Sequence, residues 1–170
     1  MSLKTSSPQH FASHVRYYEQ PQADDAERVA ALARSTGVFS DEEARVAGEL
    51  VTTTLDGRET YQFLLAEDDN HRLIGFTCFD RIPLTQSAFD LYWIVVAPEW
   101  AGTGLARDLM RRTADVIRVE GGTQILAETS ERKPYARARR FYLGTGFQRA
   151  ARFADFYGPN DAKIVFRMLL

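Results

Sequence analysis

Apolar and polar positions repeat with two different periods along the chain, and these periods predict a mixed order of strands and helices. β-Branched and aromatic runs between polar or glycine-containing segments predict seven strands, at residues 15–18, 61–66, 73–79, 89–96, 124–129, 147–156 and 163–169. Apolar residues spaced three and four apart predict four helices, at residues 24–35, 40–54, 105–119 and 135–143. The order β-α-α-β-β-β-α-β-α-β-β contains no repeat and no linker, so we expect one mixed α/β domain.

Length and composition agree with a single domain. A chain of 170 residues with 45% hydrophobic residues is long and apolar enough to bury one core. The first residues lack any period, so we expect residues 1–13 to be a poorly ordered lead and residues 14–170 to form the domain.

Charge and cysteine content exclude several classes of function. A net charge of −2 gives no electrostatic basis for nucleic-acid binding. No apolar run is long enough to cross a membrane, and no signal-peptide pattern is present, so we expect a cytoplasmic protein. Cys78 is the sole cysteine and lies in an apolar run, which predicts a buried, inert thiol. The three histidines are scattered, so we expect no metal site.

The segment after the strand at 89–96 has the composition of an anion site. Gly102 and Gly104 follow that strand and precede the helix at 105–119, so backbone N–H groups and the helix dipole would meet a negative ligand. No lysine follows Gly104, which excludes a P-loop. Arg107 stands where a dinucleotide fingerprint needs glycine or alanine.

A second motif, Ala138 to Phe147, reads A-x-x-F-Y-x-x-x-G-F. Together with the glycine turn it closely resembles the GNAT family of acyl-CoA-dependent N-acyltransferases, whose first motif is [QR]-x-x-G-x-[GA]. Residues 101–106 lie on that motif, with Ala101 in place of Gln or Arg. Tyr135 stands where the family often has an asparagine that contacts the cofactor. Residues 37–40, 90–94, 128–130 and 155–157 also resemble a GNAT subgroup named for genomic association with D-alanine–D-alanine ligase.

The resemblance implies the GNAT fold, a central mixed sheet of about seven strands flanked by about four helices. In that fold the fourth and fifth strands splay apart, and acetyl-CoA lies in the gap. The backbone of the turn would bind the pyrophosphate through five residues, Gly102, Thr103, Gly104, Leu105 and Ala106, and Arg107 would also reach phosphate or else be solvated. The strand end at Ile94, Val95 and Val96 would bind the pantetheine and acyl amides.

The resemblance also implies the catalytic groups. Tyr142 matches the family's tyrosine, whose hydroxyl protonates the leaving thiolate. Glu128, at a strand end bordering the gap, and Asp90, in an apolar strand, are the candidates for accepting the proton of the amine. Each could instead make a strand-end salt bridge or bind a cationic substrate, and a water chain could replace a dedicated base. No nucleophile set is present, which favours direct transfer from the thioester.

Three functions stay open at this stage. The first is acetylation of the primary amine of a small molecule or amino acid, with Asp90, Tyr92, Phe39 and Tyr157 as substrate contacts. The second is acetylation of a protein or peptide amine, and the third is a non-catalytic acyl-CoA sensor. The C-terminal hairpin could pair across a homodimer, or its edge could be blunted within a monomer.

Overall fold

The computed structural model describes residues 15–170, so the lead expected at residues 1–13 lies outside the described residues. Within that range the chain forms one sheet of seven strands in the order β1-β2-β3-β4-β5-β7-β6. The strands are β1 Arg16–Tyr18, β2 Gln62–Glu67, β3 Leu73–Arg81, β4 Ala88–Val96, β5 Gln124–Ser130, β6 Gln148–Gly158 and β7 Asp161–Leu169. β4 and β5 pair in parallel, and every other neighbouring pair is antiparallel.

Residues 15–170 also contain four α-helices: α1 Asp25–Ser35, α2 Asp41–Leu55, α3 Leu105–Val119 and α4 Ala136–Gly144. The predicted mixed sheet flanked by four helices is therefore confirmed, with α3 at the predicted bounds. The Ser40–Glu43 capping box that starts α2 is present in both directions. The predicted helix at residues 135–143 begins one residue later, because Lys133–Tyr135 forms a separate 3₁₀ turn. No helix in residues 15–170 is long and apolar enough to cross a membrane.

Helix α3 lies against one face of the sheet at very close range. A Cβ at Gly75 of β3 would come within 2.8 Å of the side chain of Leu109 on α3. Two strand positions further on, the Thr77 hydroxyl meets that of Thr113 at 2.7 Å. Cys78, on the opposite face, is fully buried as predicted, and burial raises the pKa of its thiol.

The parallel pair β4–β5 is short, and this opens the sheet. Residues Ala88–Leu91 pair with Gln124–Ala127, after which β4 runs on to Val96 and β5 to Ser130 without contact in the ladder. Tyr92 is an extra residue in β4, since Leu91 pairs with Phe79 while Trp93 pairs with the adjacent Cys78. Such a bulge bends its strand and leaves one residue outside the ladder. The predicted splay of the fourth and fifth strands is therefore present.

A buried charge cluster attaches α1 to the end of β2. Arg28 bonds the carboxylate of Asp25, whose side chain is fully buried, and that of Glu67, which is 5% exposed; both distances are 2.6 Å. Burial alone would raise the pKa of Glu67, but hydrogen bonds from Arg16 and Arg28 outweigh it, so the pKa lies below its ordinary value.

We expect Arg28→Met to lower the free energy of unfolding by about 3 kcal/mol, because two buried carboxylates lose their shared cation. The matched control Arg45→Met breaks an exposed pair with Glu49 on α2 and should cost less than about 1 kcal/mol. Urea unfolding at neutral pH measures both changes. The difference in the free energy of unfolding between wild type and Arg28→Met should become smaller in acid. The stabilisation through Glu67 is lost as the pH falls through the lowered pKa of Glu67. Equal losses for the two variants would contradict this assignment.

Candidate active site

The glycine turn leads directly from the free end of β4 into α3. After a 3₁₀ turn at Pro98–Trp100, Gly102 and Gly104 adopt φ values of 77° and 98°. Neither position has a heavy atom within 4 Å of an added Cβ, so the glycines are required by backbone conformation while the surrounding space is open. The Thr103 hydroxyl donates to the Trp100 carbonyl at 2.6 Å and holds the turn.

The end of α3 in this turn presents backbone donors. The first helical bond runs from the Asp108 N–H to the Gly104 carbonyl, at 3.0 Å. The N–H groups of Leu105, Ala106 and Arg107 therefore have no acceptor within the helix. Gly104 occupies the N-cap without a side-chain cap. The Leu105 N–H makes one long bond to the Thr103 hydroxyl, at 3.5 Å, and the N–H groups of Ala106 and Arg107 remain for an anion. The Leu105 side chain is fully buried and fixes the orientation of the turn.

Arg107 makes a contact that the sequence did not reveal. Its guanidinium donates to the Gly144 carbonyl at the end of α4, at 2.8 Å. The side chain is thus engaged in linking α3 to α4, in addition to lying beside the anion site. A cation at a helix C-terminus also stabilises the helix dipole.

The predicted pantetheine strand has one paired and one open edge. Ile94, Val95 and Val96 pair with Thr77, Phe76 and Gly75 of β3. Their other edge faces the gap left by β5, so backbone N–H and C=O groups there are not used by the ladder.

Tyr142 lies on α4 in a cluster of aromatic rings. Its side chain is 6% exposed, and its ring centroid lies 5.2 Å from those of Phe147 and Phe166 and 5.8 Å from that of Phe141. Burial raises the pKa of the phenol, so the hydroxyl is protonated at neutral pH. A buried phenol in this state can donate a proton or a hydrogen bond but cannot act as a base.

Asp90 and Glu128 lie on the adjacent strands β4 and β5, on the face away from α3. Asp90 is half-buried, and its carboxylate makes no hydrogen bond or ion pair with any residue of 15–170. The pKa of Asp90 is raised, first by burial and second by the charge of Glu128, against an opposing effect of Lys163. Glu128 is instead paired with Lys163, whose Nζ lies 2.9 Å from its Oε2.

Lys163 is a residue of this site that sequence reasoning missed. It lies on β7 opposite Ser130, its side chain is only 15% exposed, and its Nζ lies 4.2 Å from the ring centroid of Phe156. The sequence pattern that could have indicated Lys163 is its position between two apolar residues, Ala162 and Ile164, at the start of the predicted strand at 163–169. That alternation places it on the non-core face, but its neighbours become known only from strand register.

Aromatic side chains form the walls of the same face. Phe39 packs on Trp93 and Tyr135, with centroids 4.8 Å and 6.4 Å away. Tyr92 stands edge-on to Tyr61 at 5.3 Å. The Tyr135 hydroxyl donates to Glu43 at 3.1 Å, and burial followed by the charge of Glu43 raises its pKa to about 12. The position that is often a cofactor-binding asparagine therefore contributes to the acceptor-side wall.

Tyr157 lies at the end of this face. It is half-exposed and stands edge-on to Phe156 at 5.0 Å. Burial, and then the charge of Glu128, raises the pKa of Tyr157. The substrate contacts predicted from sequence, Phe39, Asp90, Tyr92 and Tyr157, thus lie on one side of the sheet around the gap.

Two open cavities lie elsewhere on the surface. One of about 380 Å³ lies between β1 and α3, and one of about 440 Å³ lies between α1 and the β2–β3 turn and reaches Ala97 and Glu99, just after β4. Neither is lined by Tyr142, Glu128, Gly102 or Gly104. Residues 15–170 contain no group of three or more histidine, cysteine or acidic side chains arranged to hold a metal ion.

Solved structures share this arrangement. A GNAT-family protein from Desulfovibrio desulfuricans, assigned as an acetyltransferase, matches with 38% identity and a TM-score of 0.86 over 91% of this chain and 98% of that chain. A spermidine N-acetyltransferase from Vibrio cholerae, solved with CoA and spermine, has 18% identity and a TM-score of 0.72 over 92% and 96% of the two chains. An aminoglycoside 6′-N-acetyltransferase solved with CoA has 15% identity and a TM-score of 0.71 over 91% and 96%. Among curated proteins no sequence matches significantly.

The model of the acetyltransferase (GNAT) domain matches residues 59–149. That range contains the split strands, the glycine turn and the helix that carries Tyr142. The chain therefore belongs to the GNAT family of acetyltransferases.

Proposed function

We propose that the protein transfers the acetyl group of acetyl-CoA to a primary amine of a small molecule or amino acid by direct attack. The observation that carries this proposal is the cleft itself. A turn that leaves N–H groups at the start of α3 unpaired lies at one end, the open edge of β4 runs along it, and the half-buried Asp90 lies on the face away from α3. The helix that carries Tyr142 is joined to the start of α3 by Arg107. The finer resemblance to the ligase-associated subgroup supports the same activity without naming an acceptor.

The turn would bind the pyrophosphate through the N–H groups of residues 102–106, since an unpaired helix N-terminus favours anions. The open edge of β4 at Ile94, Val95 and Val96 would bind the pantetheine amides and donate an N–H to the thioester oxygen, where negative charge develops. Arg107 holds α4 against α3 through Gly144, which makes it a positioning residue for Tyr142.

Each proton has an assigned destination. The amine nitrogen forms a bond to the thioester carbon as the carbon–sulfur bond breaks. Of the two protons that the ammonium loses, one leaves through Asp90 to water. Tyr142 protonates the leaving thiolate, and the second proton of the amine then restores the Tyr142 hydroxyl through solvent. Asp90 suits the first role better than Glu128, since Glu128 already shares its charge with Lys163. Glu128 then helps to bind the ammonium.

A small acceptor is favoured by the walls of the cleft. The Phe39–Trp93–Tyr135 group and the Phe156–Tyr157 pair supply aromatic surface on the face that carries the carboxylates, which suits a small amine with an apolar part. The structural neighbours include enzymes of spermidine and of aminoglycosides, both small amines, and also a ribosomal-protein-S18-alanine N-acetyltransferase of Escherichia coli. Acetylation of a protein amine and acyl-CoA sensing are the alternatives that the measurements below separate.

Acetyl-CoA should raise the melting temperature in a saturable way, whereas ATP and NAD should not. At 100 times Kd the stabilisation is about 2.7 kcal/mol, or roughly 5–10 °C for a domain of this size. Gly104→Val should abolish the shift, because a β-branched residue cannot hold the turn at positive φ.

Gly57→Val is the matched control for this substitution. Gly57 has φ 69° with open space around it, but it lies in the α2–β2 turn. This variant should lose a similar amount of stability and keep the full acetyl-CoA shift. Retention of the shift in Gly104→Val would contradict the assignment of the anion site.

Tyr142→Phe should lower kcat by roughly 100-fold while the acetyl-CoA shift is unchanged, because only the proton donor is removed. Thiol release with the fastest acceptor of an amine panel measures kcat. Phe166→Leu disturbs the same ring cluster without touching the hydroxyl and should keep kcat within a few-fold. Unchanged kcat in Tyr142→Phe would remove the tyrosine from the chemistry and favour the sensor.

Glu128→Gln should shift the acid limb of the pH–rate profile to lower pH and retain activity. The charge of Glu128 is the second cause of the raised pKa of Asp90, so its removal lowers that pKa and keeps Asp90 deprotonated in more acidic solution. Asp90→Asn should lower kcat by about 100-fold or more across the profile. Loss of activity in Glu128→Gln with little effect of Asp90→Asn would reverse the two roles.

A further inference from the structure

Charged side chains lie close together on the face of the sheet that carries Asp90 and Glu128. Asp90 and Glu128 contribute two negative charges, and Lys163 contributes one positive charge. The next carboxylates, Glu43 and Asp161, accept hydrogen bonds from neutral groups, the Tyr135 hydroxyl and the Ser40 N–H for Glu43 and the Ser130 hydroxyl for Asp161, and so keep their charge. An ammonium is therefore favoured on this face, and Lys163 is the cation that pairs with Glu128 within it.

Lys163 is held in place by its surroundings. Its Nζ pairs with Glu128 on one side and lies 4.2 Å from the Phe156 ring on another, and only 15% of the side chain is exposed. An ammonium has three donors, and Glu128 accounts for one of them. A partly desolvated cation with spare donors interacts strongly with an anion that reaches it.

The backbone of β6 is distorted at the point where it covers Lys163. The pairing of Phe153 with Lys163 is followed by that of Gly158 with Asp161, so four residues of β6 bulge opposite a single residue of β7. Asp155 in this bulge has φ 52°, and its carboxylate accepts from the Asn160 N–H at 2.8 Å. A strained residue fixed in this way is more typical of a functional site than of a plain sheet edge.

We propose that Lys163 selects acceptors that carry a carboxylate next to the amine, so that the substrate class is a free amino acid. This inference rests on the proposed function and names the acceptor for it. The ammonium of an amino acid would lie between Asp90 and Glu128, and its carboxylate would accept hydrogen bonds from Lys163. The ammonium and the carboxylate of an amino acid lie within a few ångströms of each other. Lys163 Nζ and Glu128 Oε2, which would contact these two groups, are 2.9 Å apart. Its side chain would pack against Tyr157 and Phe156.

The test compares acceptors that differ only in the carboxylate. Thiol release from acetyl-CoA is measured with histidine and histamine, lysine and cadaverine, and phenylalanine and phenethylamine, the amino acids in both L and D forms. The wild-type protein should show a kcat/KM at least tenfold higher for an amino acid than for its decarboxylated partner. Lys163→Met should remove that preference by lowering kcat/KM for the amino acid at least tenfold and leaving the amine within a few-fold. Lys163→Arg should retain most of the preference, since the charge remains.

Glu128→Gln combined with Lys163→Met removes both charges together, so it avoids leaving the Glu128 carboxylate without its partner if Lys163→Met alone does not fold. It should also lose the preference. A wild-type preference for the decarboxylated amines would overturn the inference, as would an equal loss for both members of each pair in Lys163→Met. Acetyl-CoA binding without turnover of any pair would overturn it too, while leaving the cofactor site intact. Absence of an acetyl-CoA shift would instead count against the proposed function itself.

Discussion

The parting of β4 and β5 after four paired positions is the constraint on which the rest of the site depends. A parallel pair normally continues along both strands, because each unpaired backbone group inside a protein costs free energy. Here the bulge at Tyr92 bends β4 away, and the two strand ends diverge. Their unpaired groups are tolerable in water and become useful when an amide-bearing ligand occupies the gap. The cleft is therefore an interruption of the sheet and not a pocket added to its surface.

Two helices carry the candidate groups that flank this gap. α3 begins at the glycine turn and packs tightly on β3 through Gly75 and Thr77, which fixes the position of the helix on the sheet. α4 carries Tyr142 and has fewer contacts with the sheet, and the bond from Arg107 to the Gly144 carbonyl joins it to the start of α3. The glycine turn and the buried phenol are thus parts of one connected unit. Arg107, which looks like a phosphate ligand in sequence, would in the proposed reaction act through the position of the neighbouring helix.

The parts of the site that the sequence predicted are those encoded locally. The glycine turn, α3 and the Ser40 capping box each depend on residues within a few positions of one another, and the structure has them where the patterns indicate. Arg107 was harder to interpret, because its partner lies 37 residues further along the chain. Lys163 could not be placed at all, since its contact with Glu128 depends on the pairing of Lys163 with Ser130 across β5 and β7. Strand periodicity gives the face of a residue, whereas its neighbours on that face depend on register.

In the proposed reaction, the Glu128–Lys163 pair and Asp90 divide two tasks that one carboxylate cannot perform well together. A carboxylate that binds an ammonium tightly stabilises the charged amine and so resists its deprotonation. A carboxylate that accepts the proton needs a higher affinity for it, which burial and a nearby like charge provide. Asp90 has that environment, because burial and the charge of Glu128 raise its pKa against the opposing effect of Lys163, whereas Glu128 is paired with Lys163. In the proposed reaction, two carboxylates in such different environments on adjacent strands would let one hold the ammonium while the other deprotonates it.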